Sequence, residues 1–126
     1  MKTMTVQDLR IGNYILNEKG TPSEIREIKY NGCLFVEDNL WEQWLYNCDA
    51  IPLSEEWLLK LDFKSVGCYD NVYYHGDFRI YIDRNTGDML LKYEHSSGNL
   101  EIEVSHIHQL QNLVYFLSGE ELIVDL

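Results

Sequence analysis

His106-Ile107-His108 places two imidazoles one residue apart at the head of an apolar series, Ile107, Leu110, Val114 and Leu117. Imidazole binds transition metals and moves protons near neutral pH. Histidines at i and i+2 chelate from a strand, whereas helices present ligands at i and i+4. Here the apolar residues recur at spacings of three and four, which predicts an amphipathic helix. Ser105 stands where a cap opens it, and Gly119 where a C′ glycine closes it. In the first turn of such a helix the two rings point about 200° apart. The expectation is two neutral, hydrogen-bonded histidines and no bound metal. Gln109, Gln111 and Asn112 supply the polar side of the helix.

Other chemistry is weaker still. Cys68 and His75 form a conceivable nucleophile–base pair, but a cysteine is more often a small buried hydrophobe. The chain has no glycine-rich phosphate loop, no G-x-S-x-G and no H-E-x-x-H. Carboxylates are plentiful, yet none stands in the apolar context that a general acid needs. No catalytic, cofactor-binding or metal-binding residue is assigned, and no cofactor is expected.

The elements that would position such residues read as follows. Thr5 to Asp8 fits a capped turn. "NYILNEKGTPSEIREIKYNGCLFVE" reads as a β-meander. Tyr14 to Leu16 is a strand, Glu18-Lys19-Gly20 a turn, Ile25 and Ile28 part of a second strand, and Cys33 to Glu37 the return. Asn31-Gly32 is the strongest hairpin signal, because both turn positions favour φ > 0. Trp41 to Leu45 fits helix or strand. In "IPLSEEWLLKLDF", Ser54 is a good N-cap, Glu55 and Glu56 suit the helix dipole, and Leu53 with Leu58 forms a staple, which predicts a helix from Glu55 to about Leu61. Three alternating strands follow. Phe78, Ile80 and Ile82 point one way and Arg79, Tyr81 and Asp83 the other. Met89, Leu91 and Tyr93 share a face, and so do Leu100, Ile102 and Val104, with Glu101 and Glu103 toward water. "ELIVDL" is a candidate edge strand.

The 126 residues predict one α+β domain, 1–126: an N-terminal SH3-like β-meander, a short helix, a three-stranded antiparallel sheet and a C-terminal amphipathic helix. No apolar run approaches the ~20 residues of a membrane span. The N-terminus lacks a secretory core. Cys33, Cys48 and Cys68 are odd in number and form no C-x-x-C. The cytoplasm is the expected compartment.

Ten Lys and Arg face 21 Asp and Glu, a formal net charge of −11. Beyond Lys92 there is no Lys or Arg. Such a chain repels nucleic acid and anionic membranes at long range. Acid of this kind commonly serves solubility alone. The sharper reading is an acidic face, Asp83, Glu94, Glu101 and Glu103, with Tyr81 as an aromatic anchor, meeting a protein with a basic surface.

Three stretches, "LRIGNYI", "IPLSEEWLLKLDF" and "HQLQNLVYFLSGEEL", resemble a group of small proteins of no established activity carried by phages and mobile elements of Bacteroides-type bacteria. Their pattern is L-R-I-G-N, then P-L-T-E-E-W-L-x-K-x-G-F, then H-x-L-Q-N-L-Y-F-x-L-T-G-E-E-L. Asp62 stands where the group usually has glycine and Ser118 where it has threonine, while Val114 is an extra apolar residue. The resemblance implies a setting in which small acidic proteins act by contact, for instance by blocking a host defence complex. The leading expectation is therefore a non-catalytic accessory protein that binds another protein. A metal-dependent or Cys/His enzyme is the second reading. A nucleic-acid-binding module on the N-terminal meander is the third. Oligomeric state is not specified by the sequence.

Overall fold

A computed structural model describes residues 5–29, 33–36, 43–67, 69–95 and 98–125. Asn31-Gly32, Trp41 and Cys68 lie outside the described residues. The strands are β1 (Tyr14–Leu16), β2 (Pro22–Ile28), β3 (Cys33–Val36), β4 (Gln43–Trp44), β5 (Lys64–Val66), β6 (Tyr69–His75), β7 (Phe78–Ile82), β8 (Met89–His95) and β9 (Gly98–Val104). The helices are α1 (Glu55–Lys60) and α2 (Ile107–Ser118). The fold is α+β, with two antiparallel sheets ordered β1-β2-β3-β4 and β5-β6-β7-β8-β9. Contacts divide the chain into two compact units, Met1–Pro52 with His106–Leu113, and Leu53–Ser105 with Val114–Leu126.

The first unit is the meander with the first half of α2. The Thr5 N–H donates to Asp8 Oδ2 at 2.9 Å, closing the turn that the spacing predicts. Asn17 organises the β1–β2 turn. Its Oδ1 accepts from the Lys19 N–H at 2.9 Å and the Thr21 N–H at 3.1 Å, and its Nδ2 donates to Ser23 Oγ at 2.9 Å. Leu9, Ile15, Ile25, Leu45 and Cys48 form the core beneath. Trp44 ends β4 and is exposed, and a 3-10 turn follows at Leu45–Asn47. So the described part of the ambiguous 41–45 stretch is neither one helix nor one strand.

Two amides of α2 tie the 8–14 segment to the helix. Gln111 is fully buried (0% exposed). Its Oε1 accepts from the Tyr14 N–H at 2.9 Å and its Nε2 donates to the Gly12 carbonyl at 3.1 Å. Asn112 Oδ1 accepts from Asn13 Nδ2 at 2.8 Å and Arg10 Nε at 3.1 Å, while its Nδ2 donates to the Asp8 carbonyl at 3.2 Å.

The second unit holds α1 and the five-stranded sheet. Ser54 caps α1, its hydroxyl accepting from the Trp57 N–H at 3.2 Å. The helix ends in a Schellman turn. The Phe63 N–H donates to the Leu58 carbonyl at 2.9 Å and the Asp62 N–H to the Leu59 carbonyl at 3.2 Å, with Leu58 and Phe63 buried as the accompanying apolar pair. Asp62 occupies the left-handed position at φ 66°. That is where the resembling group has glycine, the residue that takes this conformation at least cost.

Alternation on β7 and β8 is as expected: Phe78, Ile80, Ile82, Met89 and Leu91 are buried. Other features differ from the sequence expectation. The sheet has five strands, not three, because β5 and β6 join it. In β6 Tyr73 is buried and Tyr74 exposed, so aromatics occupy both faces and hide the alternation. Leu100 does not reach the core; it is 37% exposed, because β9 is the edge of the sheet and only its Val104 end is buried. The stretch after α2 forms no strand among its described residues. Instead the Asp125 N–H donates to the Lys60 carbonyl at 2.8 Å, satisfying a helix-end acceptor, and Leu122 is buried.

On α2 the stripe Ile107, Leu110 and Val114 is buried as predicted, while Leu117 is only half-buried. Gly119 has φ 77° and its N–H donates to the Tyr115 carbonyl at 2.8 Å, so it closes the helix. Leu110 is 0% exposed. Leu110→Ala is expected to cost about 2–5 kcal/mol in urea unfolding of the full chain; a loss below about 0.5 kcal/mol would show the stripe to be loosely packed.

Candidate functional site

Strand parity divides the five-stranded sheet into an inner and an outer face. The inner face is anchored at both ends. The Tyr73 hydroxyl donates to Glu55 Oε2 in the first turn of α1 at 2.7 Å, and the Tyr93 hydroxyl donates to the Leu117 carbonyl near the end of α2 at 3.4 Å. Phe78 and Tyr93 stack at 4.5 Å.

The outer face is built by register. Val72 pairs with Tyr81, Tyr81 with Leu90, and Leu90 with Glu103, giving one row across β6 to β9. Tyr74, Arg79, Lys92 and Glu101 give the next row. Where the first row meets the turn after β7, a groove of about 330 Å³ opens, lined by Tyr81, Ile82, Asp83, Asp88, Met89, Leu90 and Glu103. It combines aliphatic and aromatic surface with three carboxylates, the chemistry of a site for an apolar side chain flanked by cations.

The structure brings Tyr81, Asp83 and Glu103 together in this groove. Glu94 and Glu101 share the outer face with Glu103 but do not line the groove; Glu94 pairs with Asn99 across the ladder. The Asp83 carboxylate accepts from the Asn85 N–H at 2.9 Å, which fixes the turn. The face is less uniformly acidic than composition suggests. Lys92 Nζ lies 3.2 Å from Glu101 and 4.7 Å from the Tyr81 ring centre, and Arg79 lies 5.4 Å from the Tyr74 ring. Leu90 and Asp88 were missed from sequence, whereas alternation had set Arg79 on the face of Tyr81. Counting parity through the "RNTGD" turn would have set Leu90 opposite Tyr81.

The histidines fall elsewhere, and the geometry expected for them needs correction. α2 begins at Ile107, so His106 is its N-cap and not a first-turn residue. The His106 N–H donates to Gln109 Oε1 at 3.1 Å, a capping-box contact, and the His106 carbonyl accepts from the Leu110 N–H at 3.3 Å. Ser105 lies one residue before the N-cap, and its carbonyl accepts from the Leu53 N–H at 2.9 Å. Because His106 stands outside the helix, the 200° separation does not apply. The two rings stack with centres 5.8 Å apart. Among the described residues no three His, Cys, Asp or Glu side chains cluster as metal ligands would.

Two further ionisable groups are tuned by the fold. Cys48 is buried, and its thiol is pushed up to about 11, first by burial and then by Glu18 and Asp49. At neutral pH it is a protonated thiol, not a nucleophile. Glu55 is held below the ordinary carboxylate range, first by the Arg84 hydrogen bond and then by the Tyr73 hydroxyl. His75 lies 3.5 Å from Glu120 and 3.9 Å from Asp62, and its ring meets Phe63 at 5.4 Å. No helix among the described residues is long and apolar enough to cross a membrane. No protein family, curated protein or solved structure matches the chain.

A lowered folded-state value means that Glu55 stabilises the fold above the ordinary carboxylate range, and that this contribution is lost as pH falls through the lowered value. Glu55→Gln keeps the shape but removes the charge. It is expected to lower the melting temperature at pH 7, with the gap to the parent closing as pH falls below about 4. A gap that stays constant from pH 7 to about pH 2 would mean that the charge contributes nothing.

Proposed function

We propose that the chain is a non-catalytic binding protein whose contact surface is the outer face of the five-stranded sheet. The observation that carries this reading is the groove that gathers Tyr81, Leu90, Asp83, Asp88 and Glu103. Interfaces favour an aromatic anchor in a partly desolvated pocket with charges at its rim. The partner is a protein with a basic surface, because the net charge of −11 and the carboxylates around the groove attract cations at long range. Direct binding of nucleic acid or of an anionic membrane is not part of this reading. The motif resemblance supports a role as an accessory protein of a phage or mobile element, acting in the bacterial cytoplasm by contact with a host complex. We read the N-terminal meander as SH3-like, on its consecutive strand order, and assign it no ligand.

The test uses the full chain immobilised against a lysate of a Bacteroides-type bacterium. A captured basic protein should be retained by the parent and released by rising salt. It should be lost with Tyr81→Ser combined with Glu103→Lys, provided that variant melts as the parent does. Oligonucleotides, single- and double-stranded, should show no saturable anisotropy change at about 150 mM salt. A partner indifferent to the double substitution, or sub-micromolar oligonucleotide binding, would overturn the proposal.

A further inference from the structure

The two edges of the five-stranded sheet differ. β5 has three residues, and its register shifts between Ser65 and Val66. A short, bulged edge of this kind resists pairing with another chain. β9 has seven residues and pairs with β8 in unbroken register from Met89–Val104 to His95–Gly98. Among the described residues no strand pairs with its other side. Past Val104 the Ser105 carbonyl is already taken by the Leu53 N–H, so the open stretch is Gly98–Val104.

The side chains along this edge carry a pattern. Glu101 and Glu103 stand on the outer face and are exposed. Leu100 and Ile102 stand on the inner face; Leu100 is exposed and Ile102 half-buried. An added strand would project alternate residues to these same two faces. Residues beside Glu101 and Glu103 would be favoured as Lys or Arg, and residues beside Leu100 and Ile102 as apolar, because directly opposed pairs interact most strongly. A second copy of this chain fits poorly. Antiparallel pairing of β9 with itself centred on Glu101 opposes Glu101 to Glu101, and centring on Ile102 opposes Glu101 to Glu103. Like charges so placed destabilise the pair.

We infer that the β9 edge receives an extended segment of the partner in which basic and apolar residues alternate. This rests on the outer sheet face being the contact surface, and it names how the partner is held. Backbone hydrogen bonds along Gly98–Val104 supply the grip, and the alternation supplies the selection. The outer-face side chains of such a segment extend the row Tyr81, Leu90 and Glu103, which continues the groove.

The probe is a labelled peptide of about eight residues alternating lysine and valine, the length of an ordinary strand, titrated against the full chain at about 0.15 M salt. Two companions are the same peptide with alternate backbone amides N-methylated, and one with glutamate in place of lysine. Saturable binding is expected for the first. Both companions should bind at least about tenfold more weakly, one for lack of donors and one for repulsion. Glu101→Lys with Glu103→Lys should abolish uptake of the lysine peptide and admit the glutamate peptide. Equal binding of the N-methylated peptide would overturn strand addition. If that binding still fell with Tyr81→Ser, the sheet face would stand as the contact surface and only the edge assignment would fail. Binding that ignored Tyr81→Ser as well, or no binding at all, would overturn the inference. A concentration-dependent dimer in sedimentation velocity that blocked peptide uptake would assign the edge to a second copy and overturn it.

Discussion

The first unit is organised around the side-chain amide of Gln111. A carboxamide has one acceptor oxygen and one donor nitrogen, and burying it without partners for both is costly. Here the oxygen takes the Tyr14 N–H and the nitrogen gives to the Gly12 carbonyl. Without the amide each of those part-buried backbone groups would lose its partner. The amide therefore fixes where β1 begins. The neighbouring Asn112 does the same for Asp8, Arg10 and Asn13. Gly12, at φ 99°, lets the chain turn back so that its own N–H reaches the Ile25 carbonyl at 2.9 Å. Five residues at one end of the chain are held by two at the other.

That arrangement gives the sequence motifs a physical meaning. Arg10, Gly12 and Asn13 belong to the "LRIGN" stretch, and Gln111 and Asn112 to "HQLQNL". Their polar groups are used by the fold: each hydrogen bond described for them closes on another part of the same unit. His106 and Gln109 are likewise engaged, as the cap of α2. Residues whose types suggested chemistry thus serve to hold the backbone. The second unit works differently. Its inner face is occupied by Glu55, Tyr73, Tyr93 and the residues buried around them, so the outer face and the β9 edge are what it presents.

Much of this was legible from the residues. Ser54, Leu53 and Leu58 announced α1, and the stripe Ile107, Leu110 and Val114 with Gly119 announced α2. Strict alternation in "DFRIYID" and "NLEIEVS" marked two strands and put Tyr81, Glu101 and Glu103 outside. What escaped was non-local. No short-range signal tells that Gln111 reaches across the sequence to Tyr14, since a glutamine on a helix reads as solvent-facing. β6 escaped because Tyr73 and Tyr74 give both faces the same chemistry. Leu100 followed the alternation but lies at an edge, where parity alone does not bring burial. The groove also needed register: Tyr81, Leu90 and Glu103 become neighbours only once β7, β8 and β9 are aligned. The histidine pair misled because the helix boundary falls between its two members, and one residue decides whether the rings diverge or stack.

The central physical claim, that Gln111 holds the 8–14 segment in place, is tested most directly by native-state hydrogen exchange at the Tyr14 amide. In the parent protein this amide should exchange as slowly as the best-protected amides of the first unit, opening only when that unit unfolds. In Gln111→Met, which fills similar volume but offers neither polar group, its exchange should accelerate by at least about tenfold relative to amides of β2. A Tyr14 amide that exchanges in the parent as fast as an amide without a hydrogen bond, or one whose protection is unchanged by the substitution, would contradict the account.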